Sequence, residues 1–166
     1  MRFRSAAFGA LALCTSLVSH ASAYDDASRA AAAARFVAAL QHQRFQEAAA
    51  LFSPEVTRDT AATAHTLKRI DDTVGGFSTM QPVTRPLEGK TIRLQVPPRK
   101  NVLFGVQKSV QFRYASTAGD GKPVYYEVHV TPDDKPPQVL SFALQFPAAD
   151  AQSAQRASRL AAAIDR

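Results

Sequence analysis

Residues 124–130 read VYYEVHV, and the alternation of apolar with mostly polar side chains in this segment decides the fold class. Successive side chains of a β-strand point to opposite faces, so the segment predicts a strand with one apolar face. Residues 92–96, 110–115 and 140–146 repeat the pattern. An Asp-Gly pair at 120–121 separates two of these runs and is typical of a hairpin turn. The second half of the chain therefore predicts an antiparallel sheet with one face on the core.

The first half of the chain carries its apolar residues at helical spacing. Three segments each have an apolar stripe that recurs every three or four residues, which predicts three amphipathic helices. These segments are residues 29–41, 45–52 and 59–73. We expect Ser28 to cap the first helix, because its hydroxyl can accept a free backbone N–H, and the glycines at 75–76 to end the third. Residues 150–166 are Ala-rich and predict a C-terminal helix or tail.

These patterns together predict an α+β fold. The N-terminal helices would pack on the apolar face of a curved antiparallel sheet, and the C-terminal Ala-rich helix would follow. No linker long enough to separate two domains interrupts residues 24–166, so we expect a single domain there.

Parts of the chain resemble the nuclear transport factor 2-like superfamily, whose members form a cone-shaped α+β roll. The similar segments are ARFVAAL (34–40) followed by FQEAAALFSP (45–54), LKRI (67–70) leading to VGGF (74–77), and the two strands around Gly121. The chain looks most like the small exported members whose role is undefined. The resemblance implies helices seated in the hollow of the sheet, and a cavity there is where enzymes of this superfamily place a carboxylate or histidine. The final helix departs from the common pattern, which makes it either a dimer arm or a tail.

Residues 1–23 have the three parts of a bacterial-type secretory signal peptide. A positively charged start precedes an uncharged apolar run over 6–18, and a small-x-small motif ends at Ala23. The apolar run is shorter than the roughly 20 residues that span a bilayer. We therefore expect cleavage near Ala23 and a periplasmic or secreted protein. The alternative is a lipoprotein that is acylated on Cys14.

Composition excludes several classes of protein. The 166 residues are 46% hydrophobic and 20% charged, which is typical of a folded domain rather than a disordered chain. Loss of Arg2 and Arg4 with the signal would lower the net charge from +6 to +4, and export makes nucleic acid an improbable partner. The remaining histidines, His42, His65 and His129, lack ligand spacing. We expect no metal, no cofactor and no integral membrane segment after residue 23.

Candidate chemistry inside the fold rests on three side chains. Asp71 falls within the apolar arc of the third predicted helix and near its C-terminus, where a desolvated carboxylate would have a raised pKa and could act as a base. The alternative places Asp71 at a solvated rim or beside an arginine. Tyr114 and Tyr126 are the polar-tipped residues on the inner sheet face, and they would either contact a ligand or form structural hydrogen bonds.

The outer sheet face is a candidate interaction surface. Arginine and tyrosine are enriched at interfaces, and members of the resembled superfamily often dimerise through this face. The alternative is an ordinary solvated face. The predicted surface comprises Arg93, Arg113, Tyr125, Glu127 and His129.

Three functions remain open from the sequence. The first is a non-catalytic module that binds an exported protein or a small apolar ligand. The second is an enzyme of the isomerase or dehydratase type that uses Asp71 with Tyr114 or Tyr126 in a pocket between helices and sheet. The third is an inhibitor or immunity-type protein that acts through the outer sheet face.

Overall fold

Helices come first along the chain, a five-stranded sheet follows, and a helix ends it. The computed structural model describes residues 25–97, 109–132, 135–148 and 151–164. The helices are α1 (Asp26–Gln41), α2 (Phe45–Ala50), α3 (Thr60–Val74) and α4 (Ala151–Ile164), with a 3₁₀ turn at Phe77–Thr79. The strands are β1 (Gln81–Pro82), β2 (Thr91–Val96), β3 (Val110–Thr117), β4 (Pro123–Val130) and β5 (Val139–Pro147).

The strands form one antiparallel sheet in the order β1-β3-β4-β5-β2, which confirms the α+β class. The hairpin between β3 and β4 turns at Gly121, whose φ of 79° suits glycine. A register shift between His129 and Val130 pairs Val130 with Val139. Val139 therefore joins the core cluster in place of Leu140, whose inward position the alternation had predicted.

The N-cap of α1 differs from the sequence prediction. Asp25, and not Ser28, is the cap, because its carboxylate accepts the backbone N–H of Ser28 at 2.8 Å. The sequence rule cannot choose between two good capping residues three positions apart. Asp59 caps α3 in the same way, accepting from the Ala62 N–H at 2.8 Å, and α3 ends at Gly75 as expected.

Aromatic rings pack against one another between the helices and the inner face of the sheet. Phe142 of β5 lies at the centre of this cluster and is stacked on Tyr126 with 5.6 Å between ring centroids. Phe36 of α1 and Phe77 of the 3₁₀ turn each pack against the Phe142 ring in an edge-to-face arrangement. The distances between ring centroids are 5.3 Å and 5.7 Å, respectively. Such pairs contribute about 0.5–1.5 kcal/mol each beyond the apolar area that they bury.

Helix α4 packs on its own domain against α3 and β2. Ala157 and Leu160 are buried in that contact, and the Arg156 guanidinium lies 5.7 Å from the centre of the Phe146 ring. The short apolar run over 102–106 and Asp150, which the sequence offers as a cap for the final helix, lie outside the described residues.

The connection between β1 and β2, residues 83–90, crosses the sheet because these strands occupy opposite edges. Helices cover the inner face, so this segment, called the strap below, passes over the outer face. Its ends are fixed by two backbone hydrogen bonds. The Val83 N–H donates to the Arg113 carbonyl at 2.9 Å, and the Lys90 carbonyl accepts from the Ala148 N–H at 2.8 Å.

Candidate binding cleft and its surroundings

A cleft opens where the C-terminal end of α3 meets the β3–β4 turn and α4. The Gly119 N–H donates to the Val74 carbonyl at 3.0 Å and joins the end of α3 to the turn. Gly75 and Gly76 allow this close approach, with φ angles of 70° and 93°. A Cβ on Gly76 would lie 2.7 Å from the Thr117 carbonyl oxygen. Gly75 and Gly119 both line the cleft at this junction.

Charged side chains dominate the lining of this cleft, which has a volume of about 310 Å³. Two of its carboxylates already have cationic partners. Asp72 pairs with Lys68 at 2.7 Å along α3, and Asp120 of the turn accepts a hydrogen bond from Arg156 of α4. Arg159, one helical turn further along α4, also lines the cleft. The cleft is thus a polar site built from three separate elements.

Asp71 lines the cleft at the rim of the core. Its Oδ1 accepts the Phe77 N–H at a long 3.4 Å. Partial burial raises the pKa of Asp71 above its ordinary value, and the neighbouring charge of Asp72 adds to the effect. Asp71 therefore has a feature of each interpretation made from the sequence. Its raised pKa is that of a desolvated base, and its position is that of a rim residue. Its role as a base stays a prediction.

The two tyrosines of the inner face are both buried. Tyr126 is 1% exposed, and its hydroxyl shares a hydrogen bond of 2.8 Å with the buried Ser116. Burial raises the pKa of Tyr126 to about 12, and it also raises the pKa of Tyr114. Neither tyrosine lines the cleft that Asp71 faces. Tyr126 nevertheless lies close enough to the cleft for the charge of Asp71 to contribute to its raised pKa, while its hydroxyl has Ser116 as a structural partner.

Three residues of the predicted interaction surface form a polar network at one end of the outer sheet face. Arg93 Nη2 lies 3.3 Å from Glu127 Oε2 and 3.2 Å from His129 Nε2. The hydrogen bond with His129, together with the charge of Arg93, outweighs partial burial and holds the pKa of Glu127 below its ordinary value. Arg93 is 40% exposed at its side chain, whereas Glu127 is only 13% exposed. Of the two, chiefly Arg93 is open to solvent.

The other two residues of that predicted surface lie under the strap. Arg113 and Tyr125 share a small space with Val83, Arg85 and Leu87, which belong to the strap. Ala143, nearby on the same face, is fully buried. The outer face is therefore partly covered rather than uniformly solvated, and its use as an interface stays a prediction.

Sequence reasoning missed the cationic side of the cleft. Arg156 and Arg159 are three residues apart on α4, and that spacing places both on one helix face. The sequence signal was present, but the site exists only because α4 packs against α3. His42 and His65 are exposed. Among the described side chains, no group of three or more metal-ligating types is close enough to hold an ion.

None of the helices in the described part of the chain combines the length and the apolar character needed to cross a membrane. Comparison with known proteins finds no matching family model, no matching curated protein and no matching solved structure. Functional inference therefore rests on the sequence and the geometry of this chain.

Proposed function

We propose that the chain is an exported, non-catalytic binding module. The observation that carries this proposal is the aromatic cluster around Phe142, which fills the space where an enzyme of the resembled superfamily would hold its substrate. With that space occupied by side chains, binding falls to the surface. The charged cleft at the end of α3 is the concave candidate site, and Arg93 marks a second contact surface on the sheet.

Export is part of the proposal. The signal-like pattern over 1–23 supports it, and so does the position of the first helix cap at Asp25. Cleavage after Ala23 would leave that cap on the mature protein. The relation to the nuclear transport factor 2-like superfamily and the formation of a homodimer are further proposals that rest on the sequence.

An isomerase or dehydratase function remains the second candidate, because Asp71 faces the cleft and burial raises its pKa. An inhibitor or immunity-type function is a third candidate, supported by the solvent-exposed Arg93 beside Glu127 and His129. The filled interior weighs against a small apolar ligand as the natural occupant and favours a polar ligand or a protein.

The proposal can be tested with the full chain expressed in a bacterium. Mass spectrometry of the periplasmic fraction should give a product that begins at Tyr24. The purified product is then mixed with a periplasmic small-molecule extract, and the amount of each compound is measured before and after incubation with the protein. A binding module retains compounds in stoichiometric amount and releases them unchanged on unfolding. Conversion of many equivalents, abolished in Asp71→Asn, would instead establish the enzyme.

Matched arginine variants separate the two surfaces. Arg159→Ala removes a cation from the cleft, and Arg93→Ala removes one from the sheet face; both side chains are exposed. Loss of retention only in Arg159→Ala assigns binding to the cleft. Loss only in Arg93→Ala assigns it to the sheet face and supports the third candidate.

A further inference from the structure

The cleft at the end of α3 contains two charges of opposite sign that form no ion pair within the described part of the chain. Asp72 is paired with Lys68 and Asp120 with Arg156, which leaves Asp71 on α3 and Arg159 on α4. Neither of these two forms an ion pair with any residue in the described ranges, and Asp71 has only hydrogen bonds there, from the Phe77 N–H and the Gln43 side chain. Their charged atoms are therefore farther apart than the 4.0 Å that defines an ion pair. Open cleft separates a carboxylate on one wall from a guanidinium on the other.

We propose that this cleft binds a small zwitterion of the α-amino acid class. The ligand ammonium would lie at Asp71, and the ligand carboxylate would be held by the planar donors of Arg159. The C-terminal end of α3 contributes to the ammonium end, because the last carbonyls of a helix carry partial negative charge. The inference rests on the proposed binding function and adds the chemistry of the ligand.

The size and charge of the cleft exclude other ligand classes. A volume of about 310 Å³ is at the lower limit of ordinary ligand sites and suits a single small molecule rather than a folded partner. A simple anion would meet Asp71 and Asp72 on the same wall. A simple cation would leave Arg159 without a partner and close to its own charge.

The test uses the full chain, exported and labelled with ¹⁵N. The twenty common L-amino acids are added one at a time, and the amide signals of Gly75 and Gly119 report on the cleft walls. We expect at least one amino acid to shift both signals saturably. Its two single-charge analogues, the matching carboxylic acid and the matching amine, should bind at least about tenfold more weakly, because each loses one charge-assisted contact.

Variants assign the contacts. Asp71→Asn and Arg159→Ala should each weaken binding at least about tenfold. Arg35→Ala is the matched control, since Arg35 is an exposed cation on α1 that does not line the cleft. Circular dichroism checks that each variant is folded.

Each outcome decides the inference. Equal binding of the carboxylic acid alone, unchanged affinity in Arg159→Ala, or no response to any amino acid overturns it. Retention of other compounds from the extract, without amino-acid binding, overturns the zwitterion but leaves the binding module standing. If an amino acid shifts both glycine signals and is also turned over, the zwitterion class of ligand is supported. The same result contradicts the non-catalytic function.

Discussion

Substitution of Gly76 by alanine tests how the end of α3 is joined to the sheet. Gly76 has a φ of 93°, a backbone conformation that side-chain-bearing residues rarely adopt. An added Cβ would lie 2.7 Å from the Ser116 hydroxyl oxygen and 2.7 Å from the Thr117 carbonyl oxygen. The hydroxyl can rotate, but the carbonyl belongs to the backbone of β3. The substitution must therefore move a strand as well as strain the turn.

The magnitude follows from these two effects. A left-handed backbone costs about 1–2 kcal/mol for a residue with a Cβ. Overpacking against a fixed neighbour costs about 1–3 kcal/mol more. We expect Gly76→Ala to lower the free energy of unfolding by about 2–5 kcal/mol, measured by urea unfolding with far-UV circular dichroism.

Gly121→Ala is the matched control. Gly121 has a similar φ of 79°, and a Cβ there would have no heavy atom within 4 Å. This variant should lose only the conformational part, about 1–2 kcal/mol. Equal losses in the two variants would refute the close approach of the Gly76 segment to β3.

Three further predictions concern titration and capping. For Tyr126, the pKa rises from 10.0 to about 12 on folding, so the neutral form is favoured in the folded state. The contribution of Tyr126 to stability should be constant below about pH 10 and then fall by about 3 kcal/mol as the pH rises from 10 to 12, and urea midpoints of Tyr126→Phe should lack this part of the alkaline fall. For Glu127, folding lowers the pKa, chiefly because of the hydrogen bond with His129. The contribution of Glu127 to stability is therefore present above the ordinary carboxyl pKa and is lost as the pH falls through the pKa of the folded state. Acid titration followed by circular dichroism should show a shallower loss in Glu127→Gln, and an identical acid limb would contradict the network. Asp59→Ala should destabilise the protein by about 1 kcal/mol through loss of the α3 cap, and a loss no larger than that of the exposed-site control Glu88→Ala would contradict the capping geometry.

The strands and helices could be predicted because their signals are local. The alternation over 124–130 requires only the two-residue period of a strand, and the glycines at 75–76 mark the end of α3 wherever that helix packs. The short β1 escaped prediction because two residues, one of them a proline, carry no period.

The functional surfaces depended on tertiary contacts and were predicted only in part. Asp71 was identified because its position conflicts with the apolar stripe of its own helix. Arg159 was not, because its importance arises only when α4 packs against α3. The strap could not be foreseen either, since the covering of Arg113 and Tyr125 follows from strand order rather than from any local pattern.

The central claim is that side chains fill the hollow between the helices and the sheet, so that binding takes place at the surface. Methyl spectra of the isotope-labelled protein in benzene-saturated buffer test this most directly, because benzene enters dry apolar cavities of ring size. Phe142→Ala, which deletes the central ring, is the positive control and should show saturable shifts of the Val128 and Leu144 methyl signals. The account predicts that these signals remain unchanged in the wild-type protein, and saturable shifts of the same signals in the wild type would contradict it.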